Sequence, residues 1–319
     1  MTAYGTLFKQ FREAKGYSIR EVSEDIVSYQ FLNNFEKGNS NISLSNFVKI
    51  LEKINLTYEE FFVAYDETLE KIMENAIKDL RVVGSSWNAL TAQQLIQKYK
   101  KLYLETEWIV YHHFALAIEM ISIMGRGNQE EVSAEYFQSM KHEIKDYLFK
   151  IETWTEYERT LFNSLNFLFS KDEIVSVMDR LIRNMKTGSN KLRMIDDESA
   201  GEIIGNAILE LLRKDAIKEA EDLFIKMKAS IKFDKTIANI SNIIEMQYLE
   251  GLVKIRNNDD SGLVDICNSL NVLVLLKGYD SIANAMYNTY LMHQKDSIIT
   301  DKIIPGSPQF TIKSLEDNS

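Results

Sequence analysis

The chain has 319 residues, 45% of them hydrophobic, and a formal net charge of −10 at pH 7, which is room for a small domain beside a larger one with a buried core. That acidity excludes non-specific nucleic-acid binding by the whole surface, and the single Cys267 excludes an intrachain disulfide. No apolar run approaches the roughly 18–20 residues of a membrane span, and Met1-Thr2-Ala3-Tyr4-Gly5 lacks the basic and apolar regions of a signal peptide; the expectation is a cytoplasmic protein without membrane contact.

With two prolines and thirteen glycines, and with Leu, Ile, Glu, Lys and Met at helical spacings, the fold class is all-α. Residues 1–66 read as five short helices. The first carries Leu7 and Phe11 and stops before Gly16. Ser18 with Glu21 forms a capping box that opens a second helix, facing inward through Val22 and Ile26. Ser28 caps a third, with Leu32 and Phe35 inward and Gly38 at the left-handed position beyond its end. A fourth, amphipathic helix carries Ile42, Leu44, Phe47, Val48 and Leu51; Thr57 with Glu60 caps a fifth, bearing Phe61 and Phe62.

Longer helical patterns follow near 67–83, 91–104, 107–124, 130–150, 156–169, 172–186, 198–213, 216–229, 235–256, 260–276 and 280–294, with breaks at Gly84-Ser85-Ser86, around Gly125 and Gly188, and at Asn257-Asn258. Pairs recur at roughly forty-residue intervals, the range of helical-hairpin solenoids. Ala220 with Phe224, and Ala283 with Tyr287, repeat a small-then-aromatic spacing that lets helices cross closely. Residues 67–300 are therefore expected to form a tetratricopeptide-like α-solenoid, and 301–319, which hold both prolines, a flexible tail or cap. Trp108 and Trp154 are expected between helices, and Cys267 as a small buried hydrophobe.

The layout of the second and third helices suits a helix-turn-helix. Tyr29, Gln30, Asn33 and Asn34 face away from Leu32 and Phe35, and Gln and Asn amides bond adenine edges bidentately. Lys37, Lys9 and Arg12, with Lys15 and Arg20 nearby, are candidates for the phosphates of a double-stranded operator. Glu13, Glu21, Glu24, Asp25 and Glu36 offset these cations, which favours a homodimer reading two half-sites.

From Leu7 to Phe62 the sequence resembles the helix-turn-helix domains of the Rgg family, whose recognition helix closes on Phe-Glu-Arg-Gly; here it reads Phe35-Glu36-Lys37-Gly38. The resemblance implies a pair between Arg12 of the first helix and Glu36. Asn34 stands where the family commonly has arginine. Tyr147-Leu148-Phe149-Lys150-Ile151-Glu152-Thr153-Trp154, followed by Tyr157-Glu158 and Leu161-Phe162-Asn163, is similar to the family's central aromatic signature, with Arg159 in place of its usual leucine. The resemblance implies a transcription regulator controlled by a short signalling peptide bound in the repeats, with RNA polymerase as a further contact.

The residues agree with a peptide as ligand. An extended backbone needs donors and acceptors together, which asparagine supplies, and Asn163, Asn166, Asn206, Asn239, Asn242, Asn284 and Asn288 recur on amphipathic helices. Asn206 is foremost, flanked by Ile203, Ile204, Ala207, Ile208 and Leu209; Phe167 and Tyr287 are candidate pocket walls, and Lys150 and Arg159 candidate carboxylate partners. Catalytic patterns are poor: His112, His113, His142 and His293 form no i,i+4 metal pair, and Asp196-Asp197-Glu198 reads as a helix start. Neither an enzyme nor a cofactor or metal is expected. The alternatives are a ligand-independent repressor using its repeats only to dimerise, and a protein-interaction scaffold.

Overall fold

The computed structural model describes residues 4–65, 69–86, 88–125, 133–152, 154–187, 197–231, 240–276 and 279–293. Among them are sixteen α-helices and no strand, and the chain divides into two compact units, 1–81 and 82–319. Asn239, Asp196 and the tail 301–319 lie outside the described residues.

The first unit holds α1 (Tyr4–Ala14), α2 (Ile19–Ser23), α3 (Tyr29–Glu36), α4 (Leu44–Lys53) and α5 (Tyr58–Val63), and α6 (Leu69–Ser86) begins in it. Both expected capping boxes form: Ser18 Oγ accepts the Glu21 N–H while Glu21 accepts the Ser18 N–H at 2.7 Å, and Thr57 with Glu60 repeats the exchange. Phe8, Val22, Leu32, Phe35, Phe47, Ile50, Leu51 and Phe61 close a single core, in which Phe47 meets Phe61 edge-on at 5.0 Å. Helix α1 packs on α3 with almost no gap. A Cβ added at Gly5 would lie 1.7 Å from the Phe35 carbonyl oxygen, so only glycine lets the two backbones meet. Leu44 departs from expectation: Ser43 caps α4, which leaves Leu44 on its first turn 68% exposed.

The second unit holds α7 (Ala89–Thr106), α8 (Ile109–Gly125), α9 (Ala134–Lys150), α10 (Glu156–Leu165) with a 3-10 turn at Asn166–Leu168, α11 (Lys171–Thr187), α12 (Asp197–Arg213), α13 (Ile217–Ser230), α14 (Ile240–Arg256), α15 (Gly262–Leu275) and α16 (Asp280–His293). Neighbours pair as hairpins, α7 with α8, α12 with α13, α14 with α15. The even-numbered helices α8, α10, α12, α14 and α16 pack successively in one row, and α11 with α13 in another. This is the stacked-hairpin order of a helical repeat. Ala220, Phe224, Ala283 and Tyr287 are all buried where helices cross. Gly251 and Gly262 set α14 against α15 backbone to backbone, since a Cβ on either would lie 2.7 or 2.4 Å from the other's carbonyl oxygen.

Two sequence expectations are corrected. Helix α6 runs through Gly84 and Ser85 to Ser86; a lone glycine in a helix costs only about 1 kcal/mol relative to alanine and does not end it. Trp108 is 47% exposed beside Tyr111 and fills no helix–helix contact, whereas Trp154 is buried, donates from Nε1 to Leu148 O at 3.2 Å and lies under the Arg180 guanidinium.

The aromatic signature proves to be a corner between α8, α9 and α10. Glu158, buried, accepts the Tyr147 hydroxyl at 2.7 Å and both the N–H and hydroxyl of Thr155, while His113 Nδ1 and the Tyr157 hydroxyl pair at 2.5 Å. Burial, reinforced by His112, holds the His113 imidazole down at about 4; burial and Arg256 do the same at His293.

Two predictions follow from packing and burial. Gly5→Ala should destabilise the first unit by at least the roughly 1–3 kcal/mol of overpacking, because a backbone oxygen cannot swing aside; Gly84→Ala, with nothing within 4 Å, should stabilise by about 0.5–1 kcal/mol. Urea melts of the full chain measure both. For His113, an unfolded chain titrates near pH 6.5 and the folded one near 4, so the unfolded state binds the extra proton between them. Stability should be level above pH 6.5 and fall as pH drops toward 4. In melts across that window His113→Gln should show a shallower fall.

Candidate functional site

Helix α3 starts where Ser28 Oγ accepts the Phe31 N–H at 3.2 Å. It ends in a Schellman motif: Gly38, at φ +73°, donates to Phe35 O, and Asn39 donates to Asn34 O, both at 2.9 Å. At about 100° per residue, Tyr29, Asn33, Lys37, Gln30 and Asn34 span an outward arc of about 140°, and Leu32, Phe35 and Glu36 the inward one. The structure brings all five together on one face: Tyr29 is 53% exposed, Gln30 and Lys37 are exposed, and Asn33 and Asn34 are half-buried at its foot. Three amides and a phenol side by side can exchange hydrogen bonds with base edges, and Lys37 at the helix end can meet a phosphate.

Beneath this face Arg12 and Glu36 form a bidentate pair, Nε to Oε1 at 2.6 Å and Nη2 to Oε2 at 2.8 Å, with Arg12 5% and Glu36 3% exposed. Arg12 Nη1 also donates to Tyr17 O at 2.6 Å. Hydrogen bonding to Glu36 strengthens the guanidinium's hold on its proton. The pair implied by the resemblance is thus present, and Arg12 is corrected from phosphate contact to scaffold: its donors are engaged by Glu36, by Tyr17 O and, at 3.4 Å, by Glu13, and the residue is 5% exposed. Lys9 is exposed, 3.8 Å from Glu13 across one turn, a pairing weak enough for a phosphate to displace. Lys15 and Arg20 are exposed as well. Gly5, which sets the α1–α3 distance, escaped the sequence reading; its signal was a glycine inside an otherwise regular first helix.

In the second unit the structure joins Asn166 to Asn206, with Nδ2 donating to the Asn206 carbonyl at 3.4 Å from the turn after α10 to α12. Asn163 lies on the same α10, and its Oδ1 is closed off from solvent with no donor among the described residues. Arg159 is half-buried on α10, and Lys150 is exposed at the end of α9. Between α12, α14 and α16 lies a cavity of about 440 Å³, walled by Leu209, Ile244, Tyr248, Ile282 and Met286. Asn242 is half-buried on α14 beside it. Asn284 and Asn288 are exposed on α16 and are not among the residues that wall this cavity. Phe167 is half-buried, Tyr287 is buried in the helical packing, and neither walls the cavity. The sequence reading missed Tyr248 and Glu245 of the wall, which sit in an ordinary amphipathic pattern.

Among the described residues no group of three metal-ligating side chains occurs, and no helix is long and apolar enough to cross a membrane. Cys267 is a buried thiol that accepts from Asn271 Nδ2 at 3.5 Å, and burial raises its pKa.

The model for the C-terminal domain of HTH-type transcriptional regulator Rgg matches residues 89–288, and a helix-turn-helix model matches residues 8–61. The chain belongs to the Rgg family of transcriptional regulators. Solved structures of similar fold include the SHP pheromone receptor Rgg2 of Streptococcus dysgalactiae, at 18% identity and TM-score 0.68 over 91% of this chain and 100% of that one. A putative transcriptional regulator from Listeria monocytogenes EGD-e gives 22% identity and TM-score 0.71 over 92% and 97%. PrgX in complex with cCF10 gives 14% identity and TM-score 0.67 over 92% of both chains. At these identities the likeness is one of fold. Within an Rgg protein, α2 and α3 are the helix-turn-helix and the row of even-numbered helices belongs to the C-terminal domain.

The buried pair gives a test of its own. Arg12→Ala or Glu36→Ala should each cost about 3–5 kcal/mol by stranding a charge, whereas Arg12→Met combined with Glu36→Leu should cost far less than the sum. A double-mutant cycle from urea melts of the full chain decides it.

Proposed function

We propose that this Rgg protein acts in the cytoplasm as a homodimer that reads a double-stranded operator through α3 and is controlled by a short signalling peptide held in the helical repeats. Residues 1–66 carry the DNA contacts, 67–300 the peptide and the dimer contacts. The observation that supports the first half is the outward face of α3, whose Gln30 and Asn33 are presented while Glu36 is locked below. Tyr29 and Asn34 flank them, and Lys37 and Lys9 take phosphates. Two such helices about 34 Å apart, or a multiple of it, suit a palindromic site.

For the second half, similar structures include the SHP pheromone receptor Rgg2 and a bacterial peptide pheromone/receptor complex. In this chain Asn163 on α10, Asn166 in the turn after it and Asn206 on α12 lie along the even-numbered row, and Leu209, three residues on from Asn206, walls the apolar cavity. Arg159 and Lys150 are at hand for a carboxylate, and Asn242 for a further backbone contact; Asn284 and Asn288 fit a peptide only outside the cavity. A peptide alters regulation only through a difference in affinity for two states of the repeats. Contact with RNA polymerase belongs to the same reading.

Mobility shifts with DNA upstream of the gene and its neighbours test the first half. Gln30→Ala and Asn33→Ala should each weaken specific binding by about 1–3 kcal/mol, with non-specific binding kept; a protein that shifts no such fragment would be a scaffold. Calorimetry with short apolar peptides tests the second. Asn206→Ala should weaken binding at least several-fold, and absence of any heat would leave a ligand-independent repressor.

A further inference from the structure

The cavity between α12, α14 and α16 has apolar walls and one charged residue among its lining, Glu245 of α14. Its volume of about 440 Å³ lies within the range of small-ligand pockets, about 300–1,000 Å³. Ser241 and Thr289 add hydroxyls, and the Tyr248 hydroxyl donates to Met286 O, tying α14 to α16 behind the wall.

Glu245 sits where α12 has no side chain. A Cβ at Gly205 would lie 3.6 Å from its Oε1 and 3.1 Å from Leu249 Cδ1, so the carboxylate lies close over bare α12 backbone. Solvent reaches Glu245, as it reaches the wall of an open concavity, yet the surrounding protein raises its pKa, and the charge of Glu202 raises it further. Gly205, Asn206 and Leu209 lie three, four and seven residues after Glu202 and share with it a face of α12. Among the described residues neither Glu202 nor Glu245 has a cation or hydrogen-bond donor on its carboxylate. Two like charges stand together beside an apolar hollow, both reached by solvent, and an ammonium brought by a ligand would be attracted by both. A metal ion would need ligands that the described residues do not gather here.

We propose that this cavity is a subsite of the peptide groove that takes an apolar residue bearing an ammonium, with the ammonium at Glu245 in the field of Glu202 and the apolar part among Ile244, Tyr248 and Ile282. The inference rests on the peptide reading above and adds the chemistry of one end of the ligand. The ammonium is either the peptide's own α-amino group or a lysine side chain.

The test is affinity selection on the full-length protein with three synthetic heptapeptide libraries of Leu, Ile, Val, Phe and Trp: free amino terminus, N-acetylated, and N-acetylated with lysine at the first position. The free-amine library should be retained roughly tenfold better than the acetylated one. Recovery in the lysine library assigns the ammonium to a side chain, and no recovery to the α-amino group. Glu245→Gln should erase the preference, and Glu202→Gln should reduce it. Equal retention of the free and acetylated libraries, with peptides bound, overturns the ammonium subsite and leaves the peptide reading standing. Retention of none of the three overturns both.

Discussion

Removing a guanidinium and a carboxylate from water costs several kcal/mol for each ion, and Arg12 and Glu36 recover it only because every geometric demand is met. Two short, parallel N–H···O bonds join them, and a third donor of Arg12 is taken by Tyr17 O. The pair helps fix the rotation of α3 about its own axis: with Leu32, Phe35 and Glu36 inward, Gln30 lies outward and Asn33 stands half-buried at the border. Gly5 supplies the complementary constraint. It sits two helical turns before Arg12 and sets how near α1 comes to the Phe35 backbone. One contact is polar and directional, the other purely steric, and together they define the pose of the recognition helix.

The repeat unit is built on a different balance. A polar cluster fixes the α8–α9–α10 corner, where Glu158 holds Tyr147 and Thr155 and His113 pairs with Tyr157, while the later hairpins join ion pairs such as Lys254–Asp265 and Arg256–Asp215 to close crossing. Gly251 against Gly262 is the extreme of this, with α14 and α15 nearly touching along their backbones. Helix α14, which carries Glu245 and Tyr248, is therefore backed by a hairpin partner that leaves it little room to retreat. The asparagines that meet across α10 and α12 and the cavity beyond them are thus parts of one scaffold.

Much of this was legible in the residues. Caps are local, so Ser18 with Glu21, Thr57 with Glu60, Ser28 and Gly38 could be placed from spacing alone. The helical hairpins followed from periodicity, and the end of α14 from the break at Asn257-Asn258, where Asn258 takes the left-handed position. Properties set by distant partners were not legible. Arg12 and Glu36 are 24 residues apart, and their pairing came from family resemblance, not from spacing. Trp108 looked like packing material, and its exposure depends on where α7 turns into α8. Asn284 and Asn288 matched the chemistry of the asparagine set, but neither is among the residues that wall the cavity. Glu245 was hidden because a carboxylate on an amphipathic helix reads as solvated face until its opposite wall is known.

The α3 surface has one further consequence. Gln30, Asn33 and Asn34 are neutral, and Lys37 is the one cation at that helix's end. Since Arg12 is spent inside the protein, a duplex held there would shed few condensed counterions, and its binding would fall off gently as ionic strength rises. An acidic chain that discriminates with dipoles in place of charges would spend little time on random sequence, leaving more of a scarce regulator free to find its own site.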